Sequence, residues 1–188
     1  MNSAQTFNKQ DHLYTAMFCE ENIWQLCHTL ISTGIAADEL NILFLSNASK
    51  DIVIFNQQFT EPGQAISYDY HVILKYRPDN GEALVFDFDT RLPFPVDWNT
   101  YQQASFPNPV SLPPGLQMMT REVSADEFLR CFTSDRSHMA HLPMSEHPDY
   151  DCIIASDPQC SIDLKDYWQM DKAISGTSRV YPYSYVAT

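Results

Sequence analysis

Apolar residues first recur at helical spacing between positions 19 and 34. Ile23, Cys27, Leu30 and Ile31 fall on one face with Trp24 beside them, which predicts a helix over Asn22–Thr33. Gly34 supplies its stop. Cys19 then stands at or just before the first turn, directly ahead of Glu20 and Glu21. Unpaired N–H groups and the helix dipole favour a thiolate over a thiol at that place. A lone cysteine near a helix is nevertheless more often an inert buried residue, so position alone decides nothing.

After the helix the pattern changes. Asn41–Ser46 and Ile52–Asn56 are short apolar runs rich in β-forming residues, and the turn chemistry of Asn47–Asp51 between them predicts a hairpin. After a break at Thr60–Gln64, the runs Ile66–Arg77 and Ala83–Thr90 flank a turn at Pro78–Glu82 and predict a second, central hairpin. Pro93, Pro95, Pro107, Pro109, Pro113 and Pro114 then exclude a sheet or helix interior. They predict a long ordered loop over 93–115, anchored by Phe94, Trp98, Tyr101 and Phe106. Leu116–Val123 reads as a strand, and Ser124 with Glu127 forms a capping box that opens a helix over Ala125–Phe132. Residues 134–160 read as loop. Asp163–Met170 reads as a short helix that turns Tyr167 and Trp168 inward, with Ile162 just before it. Residues 1–13 read as a loose leader, and with no repeat or linker in sight the expectation is a single domain over 1–188.

Composition narrows the class. The 188 residues are 44% hydrophobic and 19% charged, which is globular and enough for one core. A net charge of −13 argues against binding phosphate backbones and fits either plain solubility or a mild attraction for cationic substrates. The five cysteines, Cys19, Cys27, Cys131, Cys152 and Cys160, are odd in number and contain no CxxC, so neither a disulfide framework nor a zinc knuckle is expected. No signal peptide or spanning stretch is visible, so a reducing cytosol is the simplest compartment. A protein exported without such a signal would look the same.

The central hairpin carries the chemistry. His71 lies in YDYHVIL, and Asp87 and Asp89 lie in VFDFDT, all within otherwise apolar strands. Alternation puts Asp87 and Asp89 on one face. A turn with an odd number of residues, such as Arg77–Gly81, sets His71 opposite Asp87. A buried carboxylate costs several kcal/mol unless it is paired. An Asp that accepts from one imidazole nitrogen fixes the tautomer and frees the other nitrogen to take a proton. Set beside Cys19, that nitrogen would give a thiolate–imidazolium pair held by a carboxylate. Cys, His and Asp in this order, with the Cys at a helix start and the others on adjacent antiparallel strands, describe an α+β fold of papain/transglutaminase-like kind. Plainer readings stand beside this one. His71 could be a core histidine, and Asp87 and Asp89 a solvated face or a metal site. His138 and His141 could be surface residues or weak metal ligands, and Asp135–Arg136 a local salt bridge.

The segments FCEENIWQLC, YDYHVILKY, VFDFDTRLPFP and FTSDRSHM, in that order, resemble the protein N-terminal glutamine amidohydrolases. DLKDYWQMD at 163–171 extends the likeness. The family's usual WDYHV reads YDYHV here, with Tyr68 in place of tryptophan. The resemblance implies a catalytic triad carried onto Cys19, His71 and Asp87. It implies a monomeric α+β enzyme without cofactor or metal, and a substrate protein or peptide whose free N-terminal Gln is converted to Glu with release of ammonia. In eukaryotes that reaction feeds the N-degron pathway. Neither nucleic acid nor membrane is an expected partner.

Restricting such a reaction to the first residue requires a carboxylate for the substrate's amino group. Glu20, Asp69, Asp89 and Asp135 are candidates, with Tyr70 as a further pocket residue. The 93–115 loop and Ser134–His138 are expected to wall the pocket. The same triad would also serve a cysteine protease or a transglutaminase, and an inactive relative could merely bind N-terminal residues.

Overall fold

The first helix, α1 (Cys19–Ser32), begins three residues earlier than the apolar spacing predicts and starts on Cys19 itself. It buries Ile23, Leu26, Cys27 and Leu30, and Gly34 ends it at φ +100°, a conformation open to glycine. The computed structural model describes residues 7–79, 81–106, 117–174 and 176–183.

The helix packs on an α+β framework built around one antiparallel sheet of six strands. These are β1 (Leu40–Ser46), β4 (Tyr70–Tyr76), β5 (Leu84–Phe86), β6 (Val96–Asp97), β7 (Met119–Ser124) and β10 (Arg179–Pro182), in the order β10-β7-β1-β4-β5-β6. Outside it lie the pair β2 (Ile52–Phe55) with β3 (Ala65–Tyr68) and the short parallel pair β8 (Phe132–Thr133) with β9 (Ile162–Asp163). The remaining helices are α2 (Trp98–Ser105), α3 (Ala125–Cys131) and α4 (Leu164–Trp168).

Both faces of the sheet are covered, which is why β1 is buried at six of its seven positions. On one face Ile42, Phe44, Val72, Leu74, Phe86 and Val123 meet α1 and α3. On the other, Leu43, Leu45, Ile73 and Val85 meet Val96, Tyr101 and Phe106. Each such side chain contributes about 1.5–3 kcal/mol by leaving water.

Several expectations are corrected. Asn41–Ser46 and Ile52–Asn56 do not form a hairpin: β1 pairs with β4 and β7, and β2 pairs with β3. The run Ile66–Arg77 is two strands, broken at Asp69, and it changes sheets there. Phe94–Pro95 is a cis peptide bond, and the proline-free stretch after it forms β6 and α2 where a loop was expected. The rest of that loop, 107–115, lies outside the described residues. Within the expected leader, Phe7 sets its ring edge-on against Phe86 at 5.1 Å. Ser124 caps α3 by accepting the Glu127 N–H, but the Glu127 carboxylate turns to the backbone and hydroxyl of Thr177 instead of back to the cap.

The cysteines form one link that the expectation of no disulfide framework did not foresee. Cys131 and Cys160 are joined, with sulfurs 2.10 Å apart and Cα atoms 5.1 Å apart. The parallel pairing of Phe132 with Ile162 brings the two together from 29 residues away in sequence. Among the described residues no helix is long and apolar enough to cross a membrane.

Candidate active site

β4 pairs with β5 so that Leu74 faces Phe86 and Tyr76 faces Leu84. This is a two-residue slip from the register expected for the hairpin. An even slip leaves every side chain on its predicted face. β5 nevertheless ends at Phe86, short of the expected Thr90, so Asp87 and Asp89 lie beyond it, and the turn they enter brings them within 4.8 Å of His71. Where β5 stops, the edge of β4 at His71 and Val72 is open on that side, and the start of α1 comes over it. The Cys19 sulfur accepts the Val72 backbone N–H there.

His71 Nε2 lies 3.0 Å from Asp87 Oδ1, and both side chains are almost fully buried. Asp87 is held on every side. Its Oδ1 also accepts the Asp89 N–H at 2.9 Å, and its Oδ2 accepts from Tyr101 Oη at 2.9 Å and Gln57 Nε2 at 3.1 Å. Tyr68 stacks on the imidazole, centroids 5.2 Å apart. The other ring nitrogen, Nδ1, is buried and takes no partner among the described residues. Burial pulls the His71 pKa down, but Asp87, then Asp89 and Glu20, outweigh it and leave the pKa raised. Burial pushes the Asp87 pKa up, and the imidazole outweighs that and leaves it lowered. The pair is thus tuned toward imidazolium and carboxylate.

Cys19 keeps some surface in the cleft, yet it is closely surrounded. Burial, then Glu20 and Asp89, hold its thiol well above the ordinary value, with the Val72 N–H pulling weakly the other way. The thiol donates to Glu20 Oε2 at 3.6 Å, and its hydrogen bond does not go to His71. The same Glu20 oxygen accepts Tyr70 Oη at 3.0 Å, and Oε1 lies 3.3 Å from His138 Nε2.

Cys19, His71, Asp69, Tyr70 and Asp89 all line one cleft of about 320 Å³, closed by Tyr68, His138, Met139 and Trp168. The fold thus gathers most of the sequence's candidates. Two lie elsewhere. Glu20 is fully buried behind the thiol, and Asp135 lines a neighbouring hollow and accepts the Ser137 N–H at 2.9 Å.

The sequence model of the N-terminal glutamine amidase family matches residues 14–186. A protein N-terminal glutamine amidohydrolase of Bos taurus is 34% identical over 173 residues, covering 90% of this chain and 82% of the relative. Those of Danio rerio and Homo sapiens are 32% and 34% identical over 176 residues, covering 92% of this chain and 86% and 84% of theirs. The chain belongs to the N-terminal glutamine amidase family.

In this family member the sequence reading missed several residues around the site. Gln57 and Tyr101 fix Asp87, and Tyr14 fixes Asp89 by donating to its Oδ1 at 2.7 Å. Tyr101 was legible only as an apolar anchor, because nothing local shows where its hydroxyl points. His138 and His141 are exposed, as expected of surface histidines, yet both line the cleft, and His138 pairs with Glu20 there. Arg136 bonds Glu21 through both Nε, at 3.0 Å, and Nη2, at 2.8 Å, and so fastens the segment that carries His138 onto α1. His71, Asp87 and Asp89 have donor atoms within 4.8 Å of one another, as a metal site would. Both Asp87 oxygens are already occupied by hydrogen bonds, which suits a hydrogen-bonded carboxylate better than a ligand.

Proposed function

We propose that this chain hydrolyses the side-chain amide of an N-terminal glutamine in proteins or peptides, giving glutamate and ammonia, with Cys19 as nucleophile, His71 as acid–base and Asp87 as its positioning partner. The observation that carries the reading is the buried, unpartnered Nδ1 of an imidazole whose Nε2 is bound to a carboxylate, in the cleft that holds a helix-initial cysteine. A nitrogen so placed has no structural partner to lose and is free to exchange a proton. The names of the relatives supply the substrate. A helix that begins on the nucleophile and packs against an antiparallel sheet bearing the His is the papain/transglutaminase-like plan, and we read the whole chain as one domain of that kind.

Catalysis requires the Cys19 side chain to turn from Glu20 toward His71 Nδ1 and surrender its proton. The thiolate then attacks Cδ of the carboxamide, and the carbonyl electrons move onto oxygen. Backbone N–H groups at the start of α1 are suited to receive that oxyanion. As the oxyanion collapses, the C–N bond breaks and His71 gives its proton to the departing ammonia. A water then attacks the thioester while His71 takes its proton. The S–C bond breaks and the thiol is restored. Asp87 keeps Nδ1 facing the reaction throughout.

The test is ammonia release and product mass from a Gln-initiated peptide. The reading expects glutamate at position one, no peptide cleavage, no transfer to added amines, and no product with Cys19→Ala. Cleavage or amine cross-linking would transfer the assignment to a protease or a transglutaminase. Full activity in Cys19→Ala would remove the nucleophile assignment.

A further inference from the structure

We propose that Asp89 receives the α-ammonium group of the substrate's first residue and thereby confines the reaction to chain termini. The proposal rests on the amidase reading of this cleft.

Asp89 is 2% exposed and lines the cleft beside Cys19 and His71. Its Oδ1 accepts from two neutral groups, Tyr14 Oη at 2.7 Å and Gln58 Nε2 at 3.3 Å. Its Oδ2 takes no hydrogen bond, and no Lys or Arg forms an ion pair with it among the described residues. Burial raises its pKa and nearby Asp87 adds to this, while the charges of His71 and Lys9 and the Tyr14 hydrogen bond oppose them without removing the rise, so the acid can still take a cation of its own.

The other acids fit less well. Asp87 has both oxygens occupied. Glu20 is shut away behind the thiol with Tyr70 and His138. Asp69 is exposed at the cleft's rim, where an ion pair is screened by water and worth little. Asp135 faces another hollow.

The reach is also right. In glutamine the α-nitrogen and the δ-carbon are separated by three carbons, roughly 5 Å when extended. A carboxylate oxygen of Asp89 lies within 4.8 Å of a His71 ring nitrogen. Asp89 therefore stands within one glutamine's length of His71, in the cleft that also holds Cys19. An internal glutamine would bring an uncharged amide to that place and leave the acid buried without its cation, which is strongly disfavoured.

The experiment compares two peptides of identical sequence. One begins with glutamine, and the other begins with the same skeleton lacking only the α-amino group. The wild-type chain is expected to prefer the first in kcat/KM by on the order of 100-fold or more. Asp89→Asn should lose that preference, because its kcat/KM falls far more on the amino peptide, chiefly through KM, than on the des-amino peptide. An unchanged urea unfolding midpoint shows that the variant is folded. Asp69→Asn should keep the wild-type preference. The proposal is overturned if Asp89→Asn keeps the full preference, if it fails on both peptides, or if Asp69→Asn is the variant that loses it. A wild-type chain that turns over neither peptide would instead remove the amidase reading, and this proposal with it.

Discussion

His71 Nε2 and Asp87 Oδ1 stand 3.0 Å apart in a region almost without solvent, and that one contact decides which imidazole nitrogen is left for chemistry. Asp87→Asn preserves the shape but replaces an acceptor with a group that can present N–H to the ring. The wrong tautomer then becomes the stable one. The expected loss in kcat is on the order of 10²–10⁴-fold with little change in KM, measured as ammonia release. Retained kcat would show that the carboxylate does not orient the ring.

The same contact makes stability depend on pH. The folded His71 pKa lies above its ordinary 6.5, so its contribution is fully present below that value and fades as pH rises through the folded one. The folded Asp87 pKa lies below its ordinary 3.8, so its contribution is present above that value and fades as pH falls through the folded one. The difference in unfolding free energy between wild type and Asp87→Asn should therefore be greatest between the two ordinary values and narrow on either side. Urea titrations across pH measure it.

Glu20 restrains the Cys19 thiol. Burial is the larger cause of the raised Cys19 pKa, and the Glu20 carboxylate, 3.6 Å from the sulfur, is next. Without substrate, alkylation of Cys19 should be slow at neutral pH and quicken as pH rises. Glu20→Gln removes a charge but keeps an acceptor for Tyr70, so its alkylation should be faster at neutral pH. Iodoacetamide kinetics followed by peptide mapping reads both.

The buried ion pair of Glu21 and Arg136 ties the segment bearing His138 to α1, and Arg136 Nη1 also reaches the Tyr150 carbonyl at 2.9 Å. Arg136→Ala strands a fully buried carboxylate and should cost about 3–5 kcal/mol by chemical denaturation. The double change Glu21→Gln with Arg136→Met should recover much of that loss, because no uncompensated charge remains.

What could be read from the sequence was what period and parity encode. The α1 stripe, the meeting of His71 with Asp87 and Asp89, and the cysteine at a helix start are all found in the structure. A register slip of two keeps the strand residues on their predicted faces, and the turn after β5 carries the acids to His71. Strand partners were not legible. β1 and β2 look like a hairpin locally, but the buried central position of β1 is set by β4 and β7, which lie far along the chain. For the same reason the donors around Asp87 were hidden: Gln57 and Tyr101 come from 30 and 14 residues away, and no local pattern marks them. The Cys131–Cys160 link depends on the parallel pairing of two-residue strands that carry almost no signal of their own.

The most direct test of the central claim is to quench the reaction of a Gln-initiated peptide in acid and weigh the intact protein. The account predicts a species heavier by the peptide less ammonia, attached to Cys19, that disappears in Cys19→Ala and decays with time in wild type. An adduct on Cys27 or Cys152, or turnover that continues in Cys19→Ala, would contradict it.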